Sequence, residues 1–385
     1  LEFTSEEDIR KAGKISPLLP IDRSNLQYFL GESRAIKQPG EINEIKLAAS
    51  EASLSFIDVF SEVNEDMTEA RIEGLWFYKT SQHAQLNSRF ASFLPCVSYG
   101  TSSAILHHAA ENDVKGKDGD LFLLDAGTSH NFYASDITRT IPINGKFDDR
   151  QRKIYSIVLR TQKECIDLVK PGIQYEIIHR HALSIITSEL LKLGFVKKKY
   201  IDFLNIGVIP DHDEPGGGEG EGGQKGSDKI KLKDRVLILR NRLAGLFMPH
   251  GVGHMLGLDT HDVAGYERRT PRLTEPSFNR LRLRRQLEAG MVVTIEPGIY
   301  FNKEITEPVL ELKEKKEKKG LIDPEPSIDT EIEDILDASV VRSFYDFGGI
   351  RIEDDVLVTA DGHEVLTFVP KEIADLEKLL ATRRK

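Results

Sequence analysis

Four acidic residues stand where a folding argument does not place them. Asp125 closes the apolar run Leu121-Phe122-Leu123-Leu124 and precedes Ala126 and Gly127. Asp136 interrupts a strand-like alternation ahead of Thr138 and Arg139, Glu296 follows the apolar run Val292–Ile295, and Glu353 lies in Gly349-Ile350-Arg351-Ile352-Glu353. Strands disfavour Asp and Glu, and a buried carboxylate needs a counter-charge or a metal. Taken singly, each is an ordinary strand-end carboxylate at the surface. Together, and joined by His250-Gly251-Val252-Gly253-His254 and by His261, they make a candidate site. The spacing of His250 and His254 is that of a helical zinc face, but the intervening glycines point to a strand or tight loop with close backbone approach.

Four carboxylates and one imidazole form an oxygen-rich ligand set. Such a set favours Mn(II) or another hard to borderline divalent ion over the thiolate-rich sites that select zinc. The formal charge of four carboxylates is cancelled by two divalent ions. Bridging carboxylates hold such a pair roughly 3.5 Å apart, where the ions share one water or hydroxide. That is apparatus for amide hydrolysis: an activated nucleophile, a polarised carbonyl and a nearby group to protonate the leaving nitrogen.

The elements that must position these residues are legible in outline. Ile42, Ile45, Ala49, Ala52, Phe56 and Val59 recur at helical spacing, so a helix begins near Glu41, just after Pro39 and Gly40. A second covers Thr68 to Tyr78, and strand-like text runs from Arg89 to Tyr99. Leu121–Leu124 reads as a buried strand, and Phe132–Ile143 as an alternating one ending at the turn Asn144-Gly145. Asp148 and Gln151 form a capping box for a helix that stops by Pro171-Gly172, and another helix runs from Tyr175 to Leu193, ending at Gly194. Val236–Leu239 has strand length, Met291–Ile295 leads into Glu296-Pro297-Gly298, and Phe347–Val358 is a further strand region. Two segments break the pattern: a Gly-rich surface insertion near 212–233, expected to be disordered, and a polar insertion near 302–339 with the charge run Glu311–Lys319. Residues 1–38 are too short for a domain of their own and read as a remnant or linker ahead of a catalytic domain over 39–385. The class is mixed, α/β or α+β, without a Rossmann glycine signature.

Composition limits the function. The 385 residues hold about two domains' worth of chain or one large unit with insertions. A net charge of -10 and pI of about 5.7 argue against a nucleic-acid binder, although Arg280, Arg282, Arg284 and Arg285 form a local basic patch. No apolar run approaches the roughly 18 residues of a membrane span. Two cysteines, Cys96 and Cys165, cannot build a disulfide framework, so a reducing, cytoplasmic setting is expected.

Asp125-Ala126-Gly127, Asp136-Ile137-Thr138-Arg139, His250-Gly251-Val252-Gly253-His254, Glu296-Pro297-Gly298 and Arg351-Ile352-Glu353-Asp354 together resemble the pita-bread metallopeptidase family. The wording is most similar to its prolidase (Xaa-Pro dipeptidase) and aminopeptidase P branches, over about residues 40–370 outside the two insertions. The resemblance implies an α+β fold with a curved antiparallel sheet and outer helices, and hydrolysis of the Xaa-Pro bond by a hydroxide bridging two metal ions. Mn(II) is the expected ion, with Co(II) or Zn(II) as alternatives. Asp125, Asp136, His254, Glu296 and Glu353 are the implied ligands, with Asp136 and Glu353 bridging and Glu296 also shuttling a proton. His250 and His261 are implied to bond substrate and tetrahedral intermediate, His107 to line the proline pocket, Arg282 to receive the substrate carboxylate and Arg351 to orient Glu353. The partner is a small peptide with proline after the scissile bond. A homodimer is the family's habit, built through an N-terminal domain of which about 38 residues precede here. Prolidase is the first reading. Aminopeptidase P is the alternative within the class, methionine aminopeptidase fits less well around His261 and Arg282, and a non-catalytic binding module is the reading from another class.

Overall fold

The computed structural model describes residues 25–383, apart from 90, 207–223, 276 and 313–326. Its short strands are antiparallel throughout. In chain order they are β1 (Ser88–Arg89), β2 (Cys96–Tyr99), β3 (Leu121–Ala126), β4 (Ser129–His130), β5 (Tyr133–Ala134), β6 (Ile137–Pro142), β7 (Val292–Ile295), β8 (Gly298–Tyr300), β9 (Gly349–Arg351), β10 (Asp354–Val358) and β11 (His363–Val365). β3 lies between β2 and β6, with Asp125 in register with Cys96 and Thr138. β10 lies between β7 and β11, with Asp354 opposite Ile295, and β8 pairs with β9. The two halves meet where Thr138 bridges Glu353, whose N–H donates to Thr138 O at 3.0 Å. All four candidate carboxylates therefore come from strand ends beside one seam.

The expected strands Phe132–Ile143 and Phe347–Val358 are each interrupted, and the interruptions fall at the candidate ligands. The first breaks at Ser135-Asp136, because the Asp136 N–H is given to the Asp355 carboxylate (3.2 Å to each oxygen) instead of a neighbouring strand. Gly127 permits this: a Cβ there would stand 1.8 Å from Ser135 O. The second breaks at Ile352-Glu353, at the Thr138 bridge.

Helices pack outside the strands. α1 (Leu26–Ala35) is followed by α2 (Pro39–Glu62), which starts two residues earlier than expected. Pro39 occupies the first turn, where its missing N–H costs nothing, and Gln38 and Glu41 close a capping box. α3 (Glu69–His83) is capped by Thr68. α4 (Asp149–Asp167) has both bonds of the Asp148/Gln151 box, 2.7 and 3.0 Å. α5 (Tyr175–Lys192) ends near Gly194, which takes φ +83°. Phe56 of α2 meets Phe60 and Trp76 edge-on at 5.7 and 5.1 Å in the core beneath β3.

Two expectations change. Val236–Leu239 belongs to a helix, α6 (Gln224–Phe247), in which Val236 and Leu239 are buried and Leu237 and Ile238 are exposed. A four-residue apolar run suits either period, and the helical partners Leu243, Ala244 and Phe247 decide it. The same helix covers 224–233, so the tail of the Gly-rich insertion is helical where disorder was expected. Residues 212–223, and 313–326 of the second insertion, lie outside the described residues. The flanks of that second insertion form helices over Lys303–Leu310 and Ile328–Ile335. α1, within the segment read as a remnant, docks through Glu32 on Arg285 and Arg34 on Asp262. Among the described residues no helix is long and apolar enough to cross a membrane.

Candidate metal centre

The ligand oxygens of Asp136 and Glu353 and a ring nitrogen of His254 lie within 4.8 Å of one another, and all three residues are buried. Glu296 Oε1 stands 3.5 Å from His254 Nε2, and Asp136 Oδ2 stands 3.4 Å from it. Asp125 and Glu296 line the same cavity of about 580 Å³ as these three, so all five expected ligands converge.

Close contacts fix His254 and Glu353. Gly253 lets its loop lie on β7, where a Cβ would come 2.0 Å from Thr294 O. His254 N–H then donates to Thr294 Oγ1 at 3.1 Å, and Thr294 N–H to His254 O at 2.9 Å. The His254 Nδ1–H donates to Met255 O at 2.9 Å, which leaves Nε2 as a bare lone pair aimed at carboxylates. Burial pushes this imidazole down to about 3, with His261 adding to the effect, so it is neutral. Thr138 Oγ1 donates to Glu353 Oε2 at 2.7 Å and accepts from Arg351 Nε at 3.0 Å.

The donor set is therefore made of acceptors facing acceptors. Asp125 Oδ1, Asp136 Oδ1 and Glu353 Oε1 are buried with no hydrogen-bond partner. Burial raises Asp136 and Glu353 well above the usual carboxylate range, Asp136 further through Glu353 and Glu353 further through Glu296 and Asp125. Burial also pushes Glu296 up to about 8, with Asp125 assisting against Arg351. Cations between these groups would satisfy the orphaned oxygens, the bare nitrogen and the mutual repulsion at once. The residues fit bound metal. Cys96 lines the cavity too, and burial and Asp125 push its thiol up to about 12.

The other expected residues fall around this centre. His107, His261 and Arg282 line the cavity, and His261 meets His254 edge-on with ring centroids 4.5 Å apart. His250 also lines it, but both ring nitrogens are engaged, Nδ1 by Gly251 O at 2.7 Å and Nε2 by Tyr300 Oη at 2.9 Å. It therefore braces Tyr300. Arg351, expected to orient Glu353, also lines the cavity and directs its guanidinium to Asp125, to Tyr300 Oη at 2.9 Å and to Thr138. Its hold on Glu353 runs through Thr138. Sequence reasoning assigned no role to Thr138 or Tyr300; the first stands within a motif and the second two residues past one, and alternation along their strands puts both on the ligand face. It also missed Glu69, a buried carboxylate that accepts from His108 Nε2 at 2.7 Å, Tyr99 N at 3.0 Å and Glu111 N at 3.1 Å, fixing the loop of His107.

Residues 43–360 match the model of metallopeptidase family M24. The chain belongs to that family. It is 31% identical over 387 residues to a protein named Probable Xaa-Pro aminopeptidase from Aspergillus fumigatus, covering 99% of this chain and 70% of that one. It is 32% identical over 364 residues to the Xaa-Pro dipeptidase of Rattus norvegicus, covering 94% and 63%. Among solved structures it resembles an Escherichia coli aminopeptidase P variant in complex with substrate, with a TM-score of 0.65, 28% identity and coverage of 97% and 66%. The chain thus spans between 63% and 70% of the length of these proteins. The M24 relationship and the structural match establish the α+β pita-bread architecture read from the motifs.

Proposed function

We propose that this M24 protein hydrolyses the peptide bond preceding proline in small peptides, with Asp125, Asp136, His254, Glu296 and Glu353 holding two divalent ions, Mn(II) first among the candidates. The observation that carries the reading is the acceptor-only cage: three orphaned carboxylate oxygens and a neutral imidazole nitrogen turned toward one another. Two ions held there supply Lewis acidity and a nucleophile at neutral pH. The chain's own residues do the rest. Asp136 and Glu353 would be central among the groups that hold the ions, and Arg351 with Thr138 keeps Asp125 and Glu353 oriented. Glu296, at the cavity edge of the cage, is the group that receives the nucleophile's proton and passes it to the proline nitrogen. His261 and His107 offer donors to the substrate carbonyl and the proline ring's surroundings, and Arg282 receives a carboxylate through its planar fork. Buried, unbridged Cys96 and Cys165 suit a reducing, cytoplasmic compartment.

Two forms of the reading differ in substrate length. The dipeptidase form draws on Arg282, which would clamp the carboxylate of a terminal proline. The aminopeptidase form draws on a cavity of about 580 Å³ with further arginines in its wall. The deciding assay incubates Mn(II)-loaded protein with Ala-Pro, Gly-Pro and Ala-Pro-Ala, with and without a chelator. Chelator-sensitive release of proline from the dipeptides alone assigns the first form, and release of alanine from the tripeptide the second. Intact peptides in the presence of stoichiometric bound metal would overturn the reading in favour of a binding module.

A further inference from the structure

Five arginines lie between Thr270 and Gln286, in a chain whose net charge is -10. Two are paired: Arg284 with Glu176 at 2.6 Å, and Arg285 with Glu32 and Glu288, each at 2.9 Å. The other three, Arg272, Arg280 and Arg282, line the cavity of the metal centre. Among the described residues none of these three has an acidic partner. All three are exposed, and three guanidiniums without carboxylate partners along one cavity offer their donors to an anion.

The stretch that bears them is held in place. Leu281, Leu283 and Leu287 are buried, which turns the alternate Arg280 and Arg282 outward. Leu281 O accepts from Tyr266 Oη at 2.6 Å and from Arg272 Nη1 at 3.2 Å, and the Arg272 guanidinium lies over the Tyr266 ring, 4.9 Å from its centroid. The cavity lining is therefore bipolar, with carboxylates that call for metal and guanidiniums of which Arg272 is held in place. Arg282 acts electrostatically on His254, His261 and Glu296, which places it beside the reacting end. One carboxylate on a proline engages Arg282 and leaves Arg272 and Arg280 without an anion.

We infer that Arg272 and Arg280 form a second anion subsite that selects peptides in which an acidic residue follows proline, of the type Xaa-Pro-Glu or Xaa-Pro-Asp. This rests on the Xaa-Pro reading above and favours its longer-substrate form. Opposite charges across a cleft set specificity and approach rate, and exposed ones are screened by salt.

The test uses the full Mn(II)-loaded chain. kcat/KM for Ala-Pro-Glu is expected to exceed that for Ala-Pro-Lys by about tenfold, a difference that shrinks as salt is raised. In the Arg272→Gln, Arg280→Gln double variant the ratio falls close to one, and Arg280→Glu inverts it. Calorimetric binding of Pro-Glu and Pro-Lys, which contain no Xaa-Pro bond, reports the same preference without turnover. Equal binding of the two by the native protein, or a preference that survives in the double variant, overturns the subsite. Discrimination between Pro-Glu and Pro-Lys with no cleavage of any peptide keeps the subsite and removes the Xaa-Pro reading. Cleavage without discrimination does the reverse.

Discussion

Glu353 and Asp354 are neighbours in sequence and each is 1% exposed, yet they point into different company. Asp354 accepts from Arg139 Nη2 at 2.7 Å, Lys371 Nζ at 2.6 Å, Gln162 Nε2 at 2.7 Å and Thr367 Oγ1 at 2.6 Å. Although burial opposes it, the charges of Arg139 and Lys371 hold this carboxyl down to about 2. Glu353 has one donor, Thr138, on one oxygen and none on the other, and burial lifts it well above the carboxylate range. The histidines repeat the contrast. His179 is buried with Nε2–H given to Ser277 O and Nδ1 accepting from Val252 N, while His254 keeps one nitrogen bare. Burial alone therefore does not mark the site. A structural carboxylate brings its own cations, and a ligand carboxylate leaves an acceptor open for one that arrives later.

The sharpest way to break this comparison is to remove one member from each side. Asp136→Ala and His254→Ala are expected to lower chelator-sensitive peptidase activity by on the order of a thousandfold or more, and to reduce bound Mn(II) measured by elemental analysis. Neither lowers the melting temperature of the metal-free protein, because each relieves crowding among unpaired acceptors. Asp354→Ala is expected to do the opposite. It strands Arg139 and Lys371 and costs about 3–5 kcal/mol of stability in denaturant titration, with metal stoichiometry retained in the folded fraction. If Asp354→Ala sheds metal at unchanged stability, the division into structural and ligand carboxylates is wrong.

The ligand side of this division is legible in the sequence, and the reason is local. Asp125 and Glu296 end short apolar runs, and a carboxylate at such a place has to be explained by something outside its own strand. The capping box of Asp148 and Gln151, the helix end at Gly194 and the loop character of His250–His254 are also local matters, settled within a few residues. What stayed hidden depends on contacts across the chain. The break at Asp136 is made by Asp355, 219 residues on, and nothing near Asp136 announces it. Tyr300, which engages both His250 and Arg351, gives no sign in sequence of lying between them. Val236–Leu239 was ambiguous because four apolar residues fit a strand or a helix, and only the later Leu243 and Phe247 favour the helix.

Thr138 tests the comparison one step out from the ligands. Its hydroxyl donates to Glu353 and accepts from Arg351, so Thr138→Val removes the donor while keeping the strand shape. Groups that orient metal ligands commonly contribute 10–100-fold to affinity, so Mn(II) binding is expected to weaken by about that factor, with little change in melting temperature.

The smallest expected effect concerns the histidine that is already satisfied. Burial pushes His179 down to about 4, against 6.5 for a free imidazole, and its bond to Ser277 O does not offset this. Between those two values the unfolded chain binds more protons than the folded one, so stability rises with pH across that window. The contribution is fully present above 6.5 and is lost progressively as pH falls toward 4. For a single group this amounts to about 1 kcal/mol between pH 7 and pH 5.5. His179→Gln keeps a donor for Ser277 O and an acceptor for Val252 N but has no proton to gain. Denaturant titrations at the two pH values should therefore show the variant losing about 1 kcal/mol less than the native protein. Equal losses would mean that His179 is open to protonation in the folded state, and that its two hydrogen bonds do not close it off as the contrast with His254 requires.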